Sequence, residues 1–158
     1  MRGVIMDLVV YYSRTNNTRE VSEIIAEQND AKLVEIKDKK SRSGALGYAL
    51  GAVDSVIGKK TSISYEKVNL SEYDTVYIGT PVWASKPAPA VLQFIDENDF
   101  NGVNVITFAT MMSSGGNKTV NAMNDKISAK GGIVKRSFSL ALKGNDTKQL
   151  VMDALSEE

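Results

Sequence analysis

The sequence predicts a doubly wound α/β domain: a five-stranded parallel sheet with helices on both faces. Two observations carry this. Apolar runs of strand length alternate with segments of helical period along the chain, the pattern that parallel strands and crossover helices leave in a sequence. Three strand ends then run into unusual loops, at 13–18, 80–87 and 110–117. In such a sheet, ligands sit outside the carboxyl ends of the strands, at the point where strand order reverses. With the order 2-1-3-4-5, the ends of strands one, three and four are neighbours, so these three loops should meet.

Met6 to Tyr12 is an apolar run broken only by Asp7, which suits a strand buried on both faces. From Asn16 to about Gln28, Val21, Ile24 and Ile25 share one helical face. Lys32 to Ile36 is the second strand, and 37–42 is a basic loop with one acid, Asp38. Leu46, Leu50, Val53 and Ile57 repeat at helical spacing, so Ser43 to Ile57 reads as a helix. Its Gly44, Gly47 and Gly51 weaken it, since an interior glycine costs about 1 kcal/mol relative to alanine. Tight packing and a mobile cover over a ligand are both open readings of this 43–58 segment.

Thr75 to Thr80 is the third strand. Pro89 suits the first turn of the next helix, where its missing N–H does no harm. Val91, Leu92 and Ile95 give that helix its buried face. Val103 to Ala109 is the fourth strand. Val120, Met123 and Ile127 mark a helix that Gly131 closes. Ile133 to Leu142 is the fifth strand, and Asp146 caps a last helix bearing Leu150, Val151, Ala154 and Leu155.

Composition sets the limits. A chain of 158 residues makes one domain, 1–158. Hydrophobic content of 42% and charged content of 24% are those of a soluble globular protein. No eighteen-residue apolar run and no signal-peptide core are present, so a cytoplasmic location and no membrane span are expected. The chain has no Cys and no His. Thiolate nucleophiles, iron–sulfur clusters and His-based acid–base catalysis are therefore excluded. Redox chemistry in such a chain must be carried by a bound organic cofactor. A formal charge of +0, from 19 basic and 19 acidic residues, argues against a general nucleic-acid binder.

The first of the three loops is Ser13-Arg14-Thr15-Asn16-Asn17-Thr18. Three hydroxyls, two amides and the free N–H groups of a helix start converge there. The helix dipole adds a preference for negative charge. This is the chemistry of a phosphate cradle, although the same residue types also cap ordinary strand-to-helix turns. A phospho-receiver domain needs acids where Ser13 and Thr80 stand. A P-loop needs a glycine directly before its lysine, and Gly116-Asn117-Lys118-Thr119 lacks one.

The residues 13–18 resemble the phosphate loop of flavodoxins, with Asn16 where that family commonly has glycine. Asn tolerates the positive φ that glycine provides there. Gly79-Thr80-Pro81-Val82-Trp83, with Lys86-Pro87-Ala88-Pro89-Ala90, is similar to the family's third-strand loop. Phe108-Ala109-Thr110-Met111-Met112-Ser113-Ser114-Gly115-Gly116-Asn117 is similar to its fourth-strand loop. The resemblance spans essentially the whole chain. It implies a flavodoxin-like fold binding FMN noncovalently.

Carried over, the cofactor contacts are Ser13, Arg14, Thr15, Asn16, Asn17 and Thr18 around the phosphate. Thr80, Pro81, Val82, Trp83 and Ala84 follow along the ribityl chain and ring. Thr110, Met111, Ser113, Ser114, Gly115 and Gly116 offer small residues and backbone donors to the ring's polar edge. Arg14 either reaches the phosphate or points to water. Trp83, the only Trp, either stacks on the ring or anchors its loop in the core. The fourth-strand loop has no second aromatic, a departure from many flavodoxins, and Met111 or Met112 is the candidate replacement.

The resemblance implies an electron carrier between protein redox partners, a reductase and an acceptor, with no catalytic residues of its own. The alternative is an NAD(P)H-dependent FMN oxidoreductase acting on a quinone or similar acceptor. A third reading is a binding module that kept the fold and lost the flavin, against which the intact hydroxyls of 13–18 speak. The balanced charge weakens the carrier reading, since carriers of this family tend to be strongly acidic.

Overall fold

The computed structural model describes residues 6–38, 62–112 and 114–157. Seven strands appear among them: β1 (Leu8–Tyr12), β2 (Lys32–Asp38), β3 (Ile63–Ser64), β4 (Val76–Trp83), β5 (Lys86–Pro87), β6 (Asn104–Met111) and β7 (Ile133–Ala141). The helices are α1 (Asn17–Asn29), α2 (Pro89–Glu97), α3 (Gly116–Ala129) and α4 (Thr147–Ser156). The helix expected over 43–57 lies outside the described residues.

The sheet order is β3-β2-β1-β4-β6-β7, with β5 paired to β4. The five long strands are parallel and stand in the expected 2-1-3-4-5 order. The two extra strands correct the count of five. Both are two residues long and pair antiparallel, β3 with β2 and β5 with β4. A two-residue strand is too short to leave a periodic signature. β4 also runs past Thr80 to Trp83, because β5 turns back to pair with Val82 and Trp83.

Strand β1 is buried throughout, and its side chains alternate between two cores. Leu8, Val10 and Tyr12 join Val91, Phe94, Val120 and Met123 under α2 and α3. Val9 joins Val21, Ile25, Phe108 and Val151 under α1 and α4. On α2, Phe94 is fully buried and Leu92 is not, so the helix is rotated slightly from the face expected for it.

A bulge in β7 explains an apparent contradiction of parity. Val134 packs with the α3 core, while Phe138 and Leu140 pack on the α1–α4 side. All three are even-numbered, and a regular strand would put them on one face. The register slips between Val105 and Ile106, which pair with Val134 and Arg136, leaving Lys135 as the extra residue. Beyond it, Arg136 donates to the carbonyls of Ala154 and Leu155 at the end of α4. Lys130 does the same for α2 through Ile95 and Asp96. Both cations satisfy carbonyls that a helix end leaves without partners.

The end of the sheet opposite the loops carries a titratable strain. Burial pushes the Asp7 carboxyl above the usual carboxylate range, and the Asp74 charge adds to the push. A hydrogen bond from the Thr75 backbone opposes it. An acid whose pKa rises on folding costs stability where it is ionised, and the cost fades as pH falls through its folded pKa. Asp7→Asn keeps an acceptor and removes the charge. Its melting temperature should exceed the parent's at neutral pH, and the gap should close on acidification. A gap that is constant with pH would assign the effect to something other than ionisation.

No helix among the described residues is long and apolar enough to cross a membrane.

Candidate functional site

A cleft of about 260 Å³ opens at the carboxyl ends of β1, β4 and β6. Its wall is formed by Ser13, Arg14, Thr15, Asn17, Thr18, Pro81, Val82, Trp83, Thr110, Met111, Met112 and Leu142. The three loops singled out in the sequence therefore do meet. One buried bond ties two of them directly: the hydroxyls of Thr18 and Thr110 lie 2.8 Å apart.

The phosphate-loop candidate has the backbone that its sequence requires. Asn16 precedes α1 with φ 70°, the left-handed conformation. No side chain caps the helix start. The first N–H groups of α1 are thus left to a ligand or solvent. Ser13 Oγ is buried without a hydrogen-bond partner in the structure. A buried hydroxyl left in that state costs free energy until a ligand atom fills the place. Arg14 is the only charged side chain among the described residues lining the cleft. Arg19, in the first turn of α1, is drawn to Glu35 of β2 at 2.6 Å. Uncapped amides, the Ser13 hydroxyl and one guanidinium on the same wall are the donors that an anion calls for.

Other expected contacts fall differently. Thr80 is buried outside the cleft wall. Its hydroxyl donates to Pro81 O and accepts from Ala88 N, both at 2.9 Å, so it braces its own loop. Ala84 is also off the wall. It shares with Ser85 a two-residue turn between β4 and β5, with φ 53° and 60°. Two successive positive φ values match the right-handed twist of a tight hairpin. They are strained for residues that carry a Cβ, a feature that tends to gather around functional sites.

Trp83 lines the cleft but is only 2% exposed. Its ring meets Tyr12 edge-on, with centroids 5.7 Å apart and planes at 90°. Its near-complete burial and its contact with Tyr12 anchor the loop in the core, while the residue still borders the cleft.

Ser114, Gly115 and Gly116 line an adjoining concavity with Ser85, Met111, Asn117, Lys118 and Ser139. The glycines serve close packing there. A Cβ on Gly115, at φ 94°, would stand 2.9 Å from Val82 and 3.0 Å from Ser85 Oγ. One on Gly116 would stand 2.4 Å from Ser139. Ser113 lies outside the described residues. Leu142 is a wall residue that the sequence reading missed. Its only available signal was its place at the end of β7, beside the 110–117 loop.

The flavodoxin family model matches residues 6–154. No curated protein matches the chain by sequence. Among solved structures, a protein of Bacteroides uniformis ATCC 8492 is 25% identical, with a TM-score of 0.79 and coverage of 96% of this chain and 99% of its own. A flavoprotein of Lactobacillus acidophilus NCFM, solved in complex with FMN, is also 25% identical. Its TM-score is 0.74, over 86% of this chain and 93% of its own. Oxidised Flavodoxin 1 of Bacillus cereus shares the fold at 16% identity and a TM-score of 0.57, over 95% of each chain.

Proposed function

This chain belongs to the flavodoxin family and binds FMN, and on that premise we propose that it is an electron carrier serving protein redox partners. The observation that carries the reading is the cleft at the start of α1: no side chain caps the helix, and the Ser13 hydroxyl lies buried and unpartnered beside it. That arrangement fits a phosphomonoester. Ser13, Thr15 and the first N–H groups of α1 would hold it, with Arg14 supplying the positive charge. Thr18 holds the cradle against β6 through Thr110. Val82, Met111, Met112 and Leu142 offer the apolar wall that a flat heterocycle needs.

Bound FMN supplies one- and two-electron redox chemistry. The chain's own part is to hold the cofactor, exclude water from one side, and leave a rim open. Serine, threonine, asparagine, methionine and one arginine supply the polar and sulfur groups of the described wall, and none is a general acid or base at neutral pH. This supports a carrier over an oxidoreductase that must hand protons to a quinone. An enzyme using a pyridine nucleotide would need a cover for the nicotinamide and a basic patch for its phosphate; the sequence candidates, the 43–58 segment and the 37–42 loop with Lys39, Lys40 and Arg42, lie outside the described residues except for Lys37 and Asp38 of β2.

Titration of the apoprotein with FMN tests the reading. Trp83, the only Trp, lines the cleft, so its emission should fall to an endpoint at one FMN per chain. Riboflavin, which lacks the phosphate, should bind at least about tenfold more weakly, the scale of one lost charge-assisted hydrogen bond. Emission that ignores FMN, or equal affinity for the two flavins, would contradict the assignment.

A further inference from the structure

We propose that Met112 is an oxidation site whose accessibility is controlled by the cofactor, and that its sulfoxide impedes cofactor loading. The inference rests on the reading of the cleft as the flavin site. Among the described methionines Met112 is the most exposed, at 53%, against 39% for Met6 and 37% for Met152. Met123 is fully buried. Met112 alone combines that exposure with a place on the cleft wall; Met6 and Met152 lie elsewhere, and Met111 is half-buried. About half of its surface is therefore open to solvent, and a flat ligand filling the cleft would cover part of it.

The reaction is oxygen transfer from a hydroperoxide. The O–O bond breaks and an S–O bond forms. Sulfur is oxidised by two electrons, and the hydroperoxide is reduced to the alcohol, or to water when it is hydrogen peroxide. The proton on the transferred oxygen passes to the departing oxygen, which leaves as the alcohol or as water. The product is a polar, chiral group on what had been an apolar wall. Burying that group against a heterocycle costs desolvation that the thioether did not.

The test treats apoprotein and FMN-saturated protein with hydrogen peroxide and follows each methionine by peptide mass spectrometry. Met112 should gain oxygen fastest in the apoprotein. FMN should slow Met112 by roughly fivefold or more and leave Met6 and Met152 unchanged, as expected if covering it removes most of its exposure. The oxidised protein should then bind FMN about tenfold more weakly, and in Met112→Leu, whatever affinity that variant starts from, treated and untreated protein should bind FMN alike. Flavin bound at one per chain with no protection of Met112, or a loss of affinity that persists in Met112→Leu, overturns the inference alone. A chain that takes up no FMN overturns the proposed function, and the inference with it.

Discussion

Ser13→Ala is expected to weaken FMN binding by about 1.5–3 kcal/mol, roughly ten- to a hundredfold, and to leave riboflavin binding nearly unchanged. The hydroxyl is buried at the cleft with no partner in the protein. A charged phosphate oxygen is the kind of acceptor that compensates it, and a bond to a charged group is worth more than a neutral one. The same change should leave the apoprotein as stable or slightly more stable, since it removes an unsatisfied buried group. Opposite signs for stability and affinity distinguish a ligand contact from a structural one. If Ser13→Ala instead destabilises the apoprotein and spares FMN affinity, the hydroxyl belongs to the fold.

Gly79→Ala is expected to destabilise the fold by about 3 kcal/mol, at the upper end of the usual cost of overpacking. A Cβ built on Gly79 would stand 2.2 Å from the tip of the Phe108 ring, well inside any real contact. The ring has little room to withdraw. Phe108 is fully buried and lies stacked on Phe138, centroids 5.6 Å apart and planes 12° from parallel. Gly79 also pairs with Tyr11 and Phe108 in the centre of the sheet, so its strand cannot shift without disturbing both neighbours. Urea unfolding of the variant measures the cost. A loss under about 1 kcal/mol would mean that the Phe108–Phe138 pair repacks freely.

The parallel sheet and its strand order were legible because each long strand has its own apolar run and each described helix its own period. The positive φ of Asn16 was legible too, because few residues other than glycine and asparagine accept it. The bulge at Lys135 was not. Val134, Phe138 and Leu140 keep even spacing through it, so the sequence looks regular while the faces exchange. The Thr18–Thr110 bond joins residues 92 positions apart, beyond what local pattern can reach. Thr80 shows the converse limit. Its residue type suited a ligand contact, yet the chain's return from β5 to Ala88 supplied a nearer partner for its hydroxyl. Trp83 was open to two readings because size and position in the sequence do not reveal its neighbours, of which Tyr12, meeting it edge-on, is one.

Anaerobic mixing of the FMN-loaded protein with NADH or NADPH, followed by the flavin absorbance in a stopped-flow instrument, tests the carrier assignment most directly. The described cleft wall has no carboxylate, lysine or tyrosine to act as an acid or base, and a carrier needs only an open rim for its partner. Bleaching by either pyridine nucleotide alone should be slow, and it should become fast when a reductase protein is added. Rapid bleaching by a pyridine nucleotide alone, abolished by neutralising Lys39, Lys40 and Arg42, would contradict the account and make the protein an oxidoreductase.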